Sequence, residues 1–182
     1  MKMKVSAIIL AGGKSSRMGK DKGLIKYRGK PMVQHVIDVC RTFTSDIVIS
    51  TNNQIYSVFG YPLVHDNFTE KGPIGGLEAA LSISSTIDNI VCACDMPSLS
   101  PEIFELIMQK REGNFAVVVA DDTGKVFPIP GWYRKSALPV IRQQINKGDY
   151  KMRSLLKKLD AETVVVSSEE LLTNINYPSD LV

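Results

Sequence analysis

Near its amino terminus the chain reads Val5-Ser6-Ala7-Ile8-Ile9-Leu10-Ala11-Gly12-Gly13-Lys14-Ser15-Ser16-Arg17-Met18-Gly19-Lys20-Asp21-Lys22. The short apolar run stopped by paired glycines has the length and ending of a buried strand. The segment after the strand is glycine-rich and basic. Glycine lets backbone N–H groups approach phosphate oxygens with no Cβ in the way. Arg17 carries the fork for paired hydrogen bonds to phosphate, and Lys22 supplies a point charge. Three known phosphate motifs do not match. A P-loop needs glycine where Ile8 stands. The dinucleotide pattern G-x-G-x-x-G needs its second glycine where Lys14 or Ser15 stands, and a kinase glycine loop fails for the same reason. On these residues alone an ordinary lysine-rich surface turn stays open beside the phosphate site.

Working outward, strand and helix patterns alternate. Pro31 opens a helix with Met32, Val33, Val36, Ile37 and Cys40 at helical spacing. Residues 46–50 read as a second strand and 61–64 as a short third one, weakened by Pro62. A helix over 74–83 begins on a Gly-Pro-rich loop. Residues 89–94 are another buried strand, with Asp95 at its end. Ser100-Pro101-Glu102 marks a helix start, and 115–120 a further strand. Val126 to Trp132 contains two prolines, which predicts an extended segment or hairpin. A helix comes next over 134–146, with Pro139 as its true start or a kink. A last helix over 151–159 and a strand over 163–166 complete the pattern. This rhythm predicts one α/β domain over residues 1–182, a Rossmann-like three-layer sandwich with a mostly parallel sheet and helices on both faces.

Bulk properties narrow the function classes. The 182 residues are 44% hydrophobic, enough for one sizeable core. No apolar stretch approaches a bilayer span, and the run after the basic start is short for a signal peptide. Three cysteines, Cys40, Cys92 and Cys94, predict a reduced cytoplasmic protein without a disulfide framework. Residues 1–30 hold nine Lys or Arg against the single acid Asp21, whereas the remainder is net acidic. A basic head on an acidic body predicts a local anion site and no nucleic-acid surface, with a solvated lysine face as the alternative.

Open α/β sheets bind ligands outside the carboxyl ends of their strands. Asp95 stands at such an end, before Met96-Pro97. A carboxylate there is a candidate Mg²⁺ ligand, and equally a turn former. Gly72-Pro73-Ile74-Gly75-Gly76, coming after His65-Asp66, brings backbone groups and a helix amino terminus toward a planar or anionic ligand, although a Gly-Pro helix start is common. Cys92 and Cys94 read as small core side chains, with no further soft ligand nearby. His35 and His65 lack a paired nucleophile and read as structural.

The segment Leu10-Ala11-Gly12-Gly13-x-Ser15-x-Arg17-Met18-Gly19-x-Asp21-Lys22 resembles the signature loop of the sugar-nucleotide-type nucleotidyltransferases, and more narrowly that of the molybdenum cofactor guanylyltransferases. Four further matches occur in order: Gly29-Lys30-Pro31-Met32, Gly72-Pro73-Ile74-Gly75-Gly76, Cys94-Asp95-Met96-Pro97, and Asn174-Ile175-Asn176-Tyr177-Pro178-Ser179-Asp180-Leu181. The resemblance implies an enzyme that transfers GMP from GTP to the terminal phosphate of molybdopterin, with Mg²⁺. It places Leu10, Ala11, Gly12 and Gly13 at the nucleotide through backbone groups. Arg17 and Lys22 would bind phosphates, Asp66 would lie in the guanosine pocket with Gly72, Pro73 and Gly75, and Asp95 would hold the metal. Asn174 and Asn176 would face the pterin.

The chain departs from the resemblance in two places. Some members carry Asn where Ser50 stands, so Asn52 is the candidate ligand in its place. Others have His-Pro where this chain has Phe127-Pro128. Leu-Ala-Gly-Gly, in contrast to the Leu-Ala-Ala-Gly of CTP-using relatives, favours guanine. A CTP-using or sugar-phosphate transferase remains the enzymatic alternative, and a GTP-binding adaptor the non-enzymatic one. Molybdoenzyme maturation proteins are the implied macromolecular partners.

Overall fold

The computed structural model describes residues 4–12, 21–68 and 70–167. Its first strand, β1 (Val5–Leu10), is buried at every position, as a strand covered on both faces must be. After it comes a small hairpin of β2 (Lys26–Tyr27) and β3 (Lys30–Pro31). Its two-residue turn, Arg28 and Gly29, has positive φ at both positions, which suits the twist of paired strands. Strands of two residues carry no readable periodicity, so the sequence pattern does not announce this hairpin.

The remaining elements keep the expected rhythm. They are α1 (Met32–Phe43), β4 (Ile47–Ser50), β5 (Leu63–Val64), α2 (Pro73–Ile83), β6 (Asp88–Ala93), α3 (Pro101–Gln109), β7 (Ala116–Ala120), β8 (Val126–Arg134), α4 (Leu138–Asn146), α5 (Met152–Lys158) and β9 (Glu162–Val165). The five apolar positions predicted for α1 are all buried. Pro139 lies in the first turn of α4, so it starts the helix and does not kink it. Ser100 precedes α3 without a side-chain hydrogen bond to the backbone of the helix's first turn.

Seven strands form one sheet in the order β5-β4-β1-β6-β8-β7-β9. β1 pairs in parallel with β4 and β6, β4 with β5, and β7 with β9. The proline-bearing segment is neither a loop nor an edge. It is β8, inserted antiparallel between β6 and β7. The ladder to β7 steps from Val118↔Gly131 to Val119↔Phe127, passing over Pro128, Ile129 and Pro130. Proline has no N–H to give a ladder, so the irregularity falls where the prolines are.

Successive β1 residues face opposite layers. Val5, Ala7 and Ile9 pack with α1 and α3 residues such as Val33, Ile37, Phe104 and Ile107. Ile8 and Leu10 pack with Leu77 and Leu81 of α2, Ile141 of α4 and Leu155 of α5. The result is a three-layer sandwich. No helix among the described residues is long and apolar enough to cross a membrane.

Candidate functional site

The chain passes from β1 to β4 and β5 on one side, then to β6 on the other. The strand order therefore reverses at β1, and the carboxyl ends meet there in register: Leu10 beside Ser50 and Ala93, and Ser50 beside Val64. Such reversals open a crevice. A cavity of about 670 Å³ occupies it, within the range of small-molecule sites. Leu10, Ala11, Gly12, Asp21, Ser50, Thr51, Asn52, Asn53, Asp66, Glu70, Gly72, Pro73 and Gly76 line it.

The floor is held by backbone hydrogen bonds. Ala11 N–H donates to the Ser50 carbonyl at 2.8 Å, and Cys94 N–H to the Leu10 carbonyl at 3.0 Å. The Thr51 hydroxyl donates to the Ala11 carbonyl at 3.0 Å. Gly12 is exposed, with open space where a Cβ would stand. Glycine is therefore not required there by packing within the described residues.

The opposite wall is the start of α2. Gly72 has φ +68°, a left-handed conformation that favours glycine. Gly76 approaches β4 closely, since a Cβ on it would lie 2.7 Å from Ser50 Oγ. Gly75 does not line the cavity. It abuts the Phe68 carbonyl, where a Cβ would stand at 2.9 Å. Asp66 sits over both glycines. Burial holds its carboxyl above the usual range, against a weaker opposing pull from His65. Its N–H donates to Asn52 Oδ1 at 3.3 Å, which ties Asn52 to the same wall. His65 bonds the Thr51 carbonyl through Nδ1, and His35 bonds the Tyr27 carbonyl through Nε2. Both histidines brace loops, as the sequence suggests.

Beside the cavity stands the charged pair. Lys22 opens a 3-10 turn, Lys22–Leu24, directly after Asp21. Its Nζ lies 3.4 Å from Asp95 Oδ2, with 22% and 14% of the two side chains exposed. This is long for a charge-assisted contact. Burial raises the Asp95 carboxyl above its usual range, and Lys22 opposes this only in part. A sequestered carboxylate short of positive charge is the donor a hard divalent cation takes when phosphates supply its other ligands. Among the described residues no cluster of three or more His, Cys, Asp or Glu could hold a metal alone. The remaining ligands would come from phosphate and water. The neighbouring Cys94 thiol is pushed up to about 12, chiefly by burial and then by the Asp95 charge, which disfavours the nucleophilic thiolate at neutral pH. All three cysteines are buried and unpaired.

Of the residues expected from sequence, the described structure gathers Leu10, Ala11, Gly12, Asn52, Asp66, Gly72 and Pro73 around one cavity, with Lys22 and Asp95 beside it. Gly13, Arg17, Asn174 and Asn176 lie outside the described residues. Gly76, the last residue of the Gly-Pro-Ile-Gly-Gly motif, also stands in the wall, as do Thr51, Asn53 and Glu70, which no motif nominates. Asp21 also lines the cavity; the signature loop includes it, with no role at the site expected from sequence.

Residues 7–164 match the model of the MobA-like NTP transferase domain. The chain is 34% identical over 179 residues to a probable molybdenum cofactor guanylyltransferase of Flavobacterium johnsoniae, covering 97% of this chain and 94% of the relative. It is 35% identical over 185 residues to a molybdenum cofactor guanylyltransferase of Yersinia pestis (strain Pestoides F), covering 99% and 94%. Among solved structures, molybdopterin-guanine dinucleotide biosynthesis protein A of Archaeoglobus fulgidus superposes with a TM-score of 0.82 at 25% identity, covering 97% of this chain and 94% of that one.

Proposed function

The chain belongs to the MobA-like NTP transferase family and is a nucleotidyltransferase, and from this premise we propose that it transfers GMP from GTP to the terminal phosphate of molybdopterin, as a single transferase domain over residues 1–182 acting in the cytoplasm. The observation that carries the reading is the Lys22–Asp95 pair beside a cavity at the carboxyl ends of β1 and β4, closed by the glycine-bearing start of α2. An oxygen of the molybdopterin phosphate attacks the α-phosphorus of GTP. The bond from that phosphorus to the bridging oxygen of the β-phosphate breaks, and pyrophosphate leaves with the electron pair. A phosphate monoester is already ionised at neutral pH, so the site needs no general base. Its tasks are positioning and charge neutralisation.

In this proposal Leu10, Ala11, Gly12 and Gly13 present backbone to the nucleotide, and Asn52, Asp66, Gly72, Pro73 and Gly75 form the guanosine side. Lys22 neutralises the leaving pyrophosphate together with Arg17, which the shared motif assigns to the phosphates. The family suggests a divalent metal, and Asp95 would hold it as Mg²⁺, which would supply Lewis-acid charge to the phosphate oxygens. The shared motif assigns Asn174 and Asn176 to the pterin. Maturation proteins of molybdoenzymes would take the product.

Pyrophosphate release measured with GTP, CTP or ATP, with and without molybdopterin and Mg²⁺, tests this reading. Release with GTP that requires both molybdopterin and the metal is the expected result. Release only with CTP would overturn the guanylyl assignment, and nucleotide binding without release would indicate an adaptor.

A further inference from the structure

Asp21 lines the cavity, yet both of its carboxylate oxygens are engaged by protein donors. Oδ1 accepts from the Tyr56 hydroxyl and from Gly23 N–H, the latter at 3.2 Å. Oδ2 accepts from Asn53 Nδ2 at 2.9 Å. Two of these donors sit beyond the end of β4, where Asn53 caps a second 3-10 turn, Gln54–Phe59, that contains Tyr56. Tyr56 is wholly buried and tilts against Phe59. Burial, then the neighbouring Cys94 and Asp21, push its phenol far above the usual range, so it remains a donor. Gly23 closes the arrangement from the other side. A Cβ there would lie 3.0 Å from both Cβ and Sγ of Cys94 and would collide with the Tyr56 hydroxyl. Lys22 is the one residue between these two anchored neighbours.

We propose that Asp21 is a positioning residue: clasped by Tyr56, Asn53 and Gly23, it fixes the backbone on both sides of Lys22 and so holds the ammonium beside Asp95, where the phosphates are to be bound. The proposal rests on the assignment of Lys22 to the phosphates. A lysine side chain has a flexible four-carbon stem, so its reach is useful only if the chain beneath it is fixed. Three donors also explain why a carboxylate stands here. An asparagine would offer one acceptor oxygen and would set its own amide hydrogens against a donor.

The experiment compares Asp21→Asn and Tyr56→Phe, each alone and combined with Lys22→Ala. Steady-state pyrophosphate release and calorimetric binding of Mg-pyrophosphate are the two readouts, and circular dichroism monitors folding. Each single variant should lower kcat/KM for GTP by about 10- to 100-fold while KM for molybdopterin holds, the scale of a misplaced binding group. In the Lys22→Ala background neither should cause a further loss, because each acts through that lysine. Losses that add to that of Lys22→Ala, or wild-type kinetics in both single variants, would overturn the clasp. If Asp21→Asn fails to fold, Tyr56→Phe decides, since it keeps the ring and removes only the donor. If the wild type transfers no GMP, the functional reading fails separately. The clasp is then supported by pyrophosphate binding that Lys22→Ala abolishes and Tyr56→Phe weakens, and is overturned by binding indifferent to Lys22→Ala.

Discussion

Asp95 is held in a condition that a free protein has no reason to favour. Its carboxyl is raised by burial, and the 3.4 Å contact with Lys22 does not fully offset that. A group that binds its proton more tightly in the folded state than in the unfolded one makes stability fall as pH rises. The loss spans the window from the ordinary carboxylate range up through the raised folded value and is complete above it. Asp95→Asn should therefore flatten the acid-to-neutral part of the stability profile and leave Tm at pH 7 equal to or above that of the wild type. The same variant should lose at least about 10²-fold in transfer, because it would loosen the metal whose charge stabilises the transition state on the phosphate oxygens. Thermal melts across the acid-to-neutral range check this, and a fall in Tm at neutral pH would contradict this account of the site. Gly76 gives a steric counterpart. Gly76→Ala places a methyl 2.7 Å from Ser50 Oγ and should cost about 1–3 kcal/mol as an overpacked contact. Removing the hydroxyl with Ser50→Ala should recover part of that loss. An additive double variant in urea melts would show that the two residues do not meet as described. The need for glycine at this position was not legible in the sequence, because Ser50 is distant along the chain and meets Gly76 only after β4 and α2 have packed.

At the scale of elements, the strands and helices with full periodicity were readable. β1 and α1 bury the residues their patterns nominate, and β6 buries Asn89 to Cys92 and leaves Ala93 half-buried. The departures have local causes. β8 carries Pro128 and Pro130, which argue against a central strand, but the ladder to β7 skips them and leaves Phe127 and Gly131 paired on either side. The 3-10 turn bearing Tyr56 has no apolar period to reveal it. The pairing of α2 with α4 was likewise invisible. It is secured by Glu78, whose side chain is 1% exposed and accepts from Arg142 Nε at 2.7 Å and Asn67 Nδ2 at 2.9 Å. Asn67 comes directly after Asp66, so this bond also ties the cavity wall to the helical layer. Arg142→Ala leaves a buried carboxylate with one neutral donor and should cost about 1–3 kcal/mol, below the full penalty for breaking a buried pair because the arginine is half exposed. Glu78→Gln with Arg142→Ala should be more stable than Arg142→Ala alone. Chemical denaturation of the three proteins checks the order, and the reverse order would mean that the ion pair does not govern this contact.

The cavity opens where the strand order reverses at β1, and the segment leading into it was legible from the start: a buried strand, then glycines and cations, at the carboxyl edge of an α/β sheet. The meeting of residues from distant segments was not. Asp21, Asn53 and Tyr56 converge through hydrogen bonds spanning more than thirty positions of sequence, and no local pattern encodes them. The cavity joins β1, β4, the loop before α2 and the first turn of α2, so a nucleotide seated in it would bridge segments that otherwise separate on unfolding. Ligand binding to the folded state alone adds about 2.7 kcal/mol at a hundredfold excess over Kd. For a domain of this size that corresponds to an increase in Tm of roughly 5–10 °C. GTP with Mg²⁺ should produce this shift, and CTP or ATP at the same concentration a much smaller one. Lys22→Ala should reduce the GTP shift through the loss of phosphate contact. Asp66→Asn should narrow the gap between GTP and CTP, because its carboxylate lies against Gly75 and Gly76 on the wall assigned to the base. Equal shifts with all three triphosphates in the wild type would mean that the cavity recognises the phosphates and not the base, and the source of guanine selection would then have to lie outside this wall.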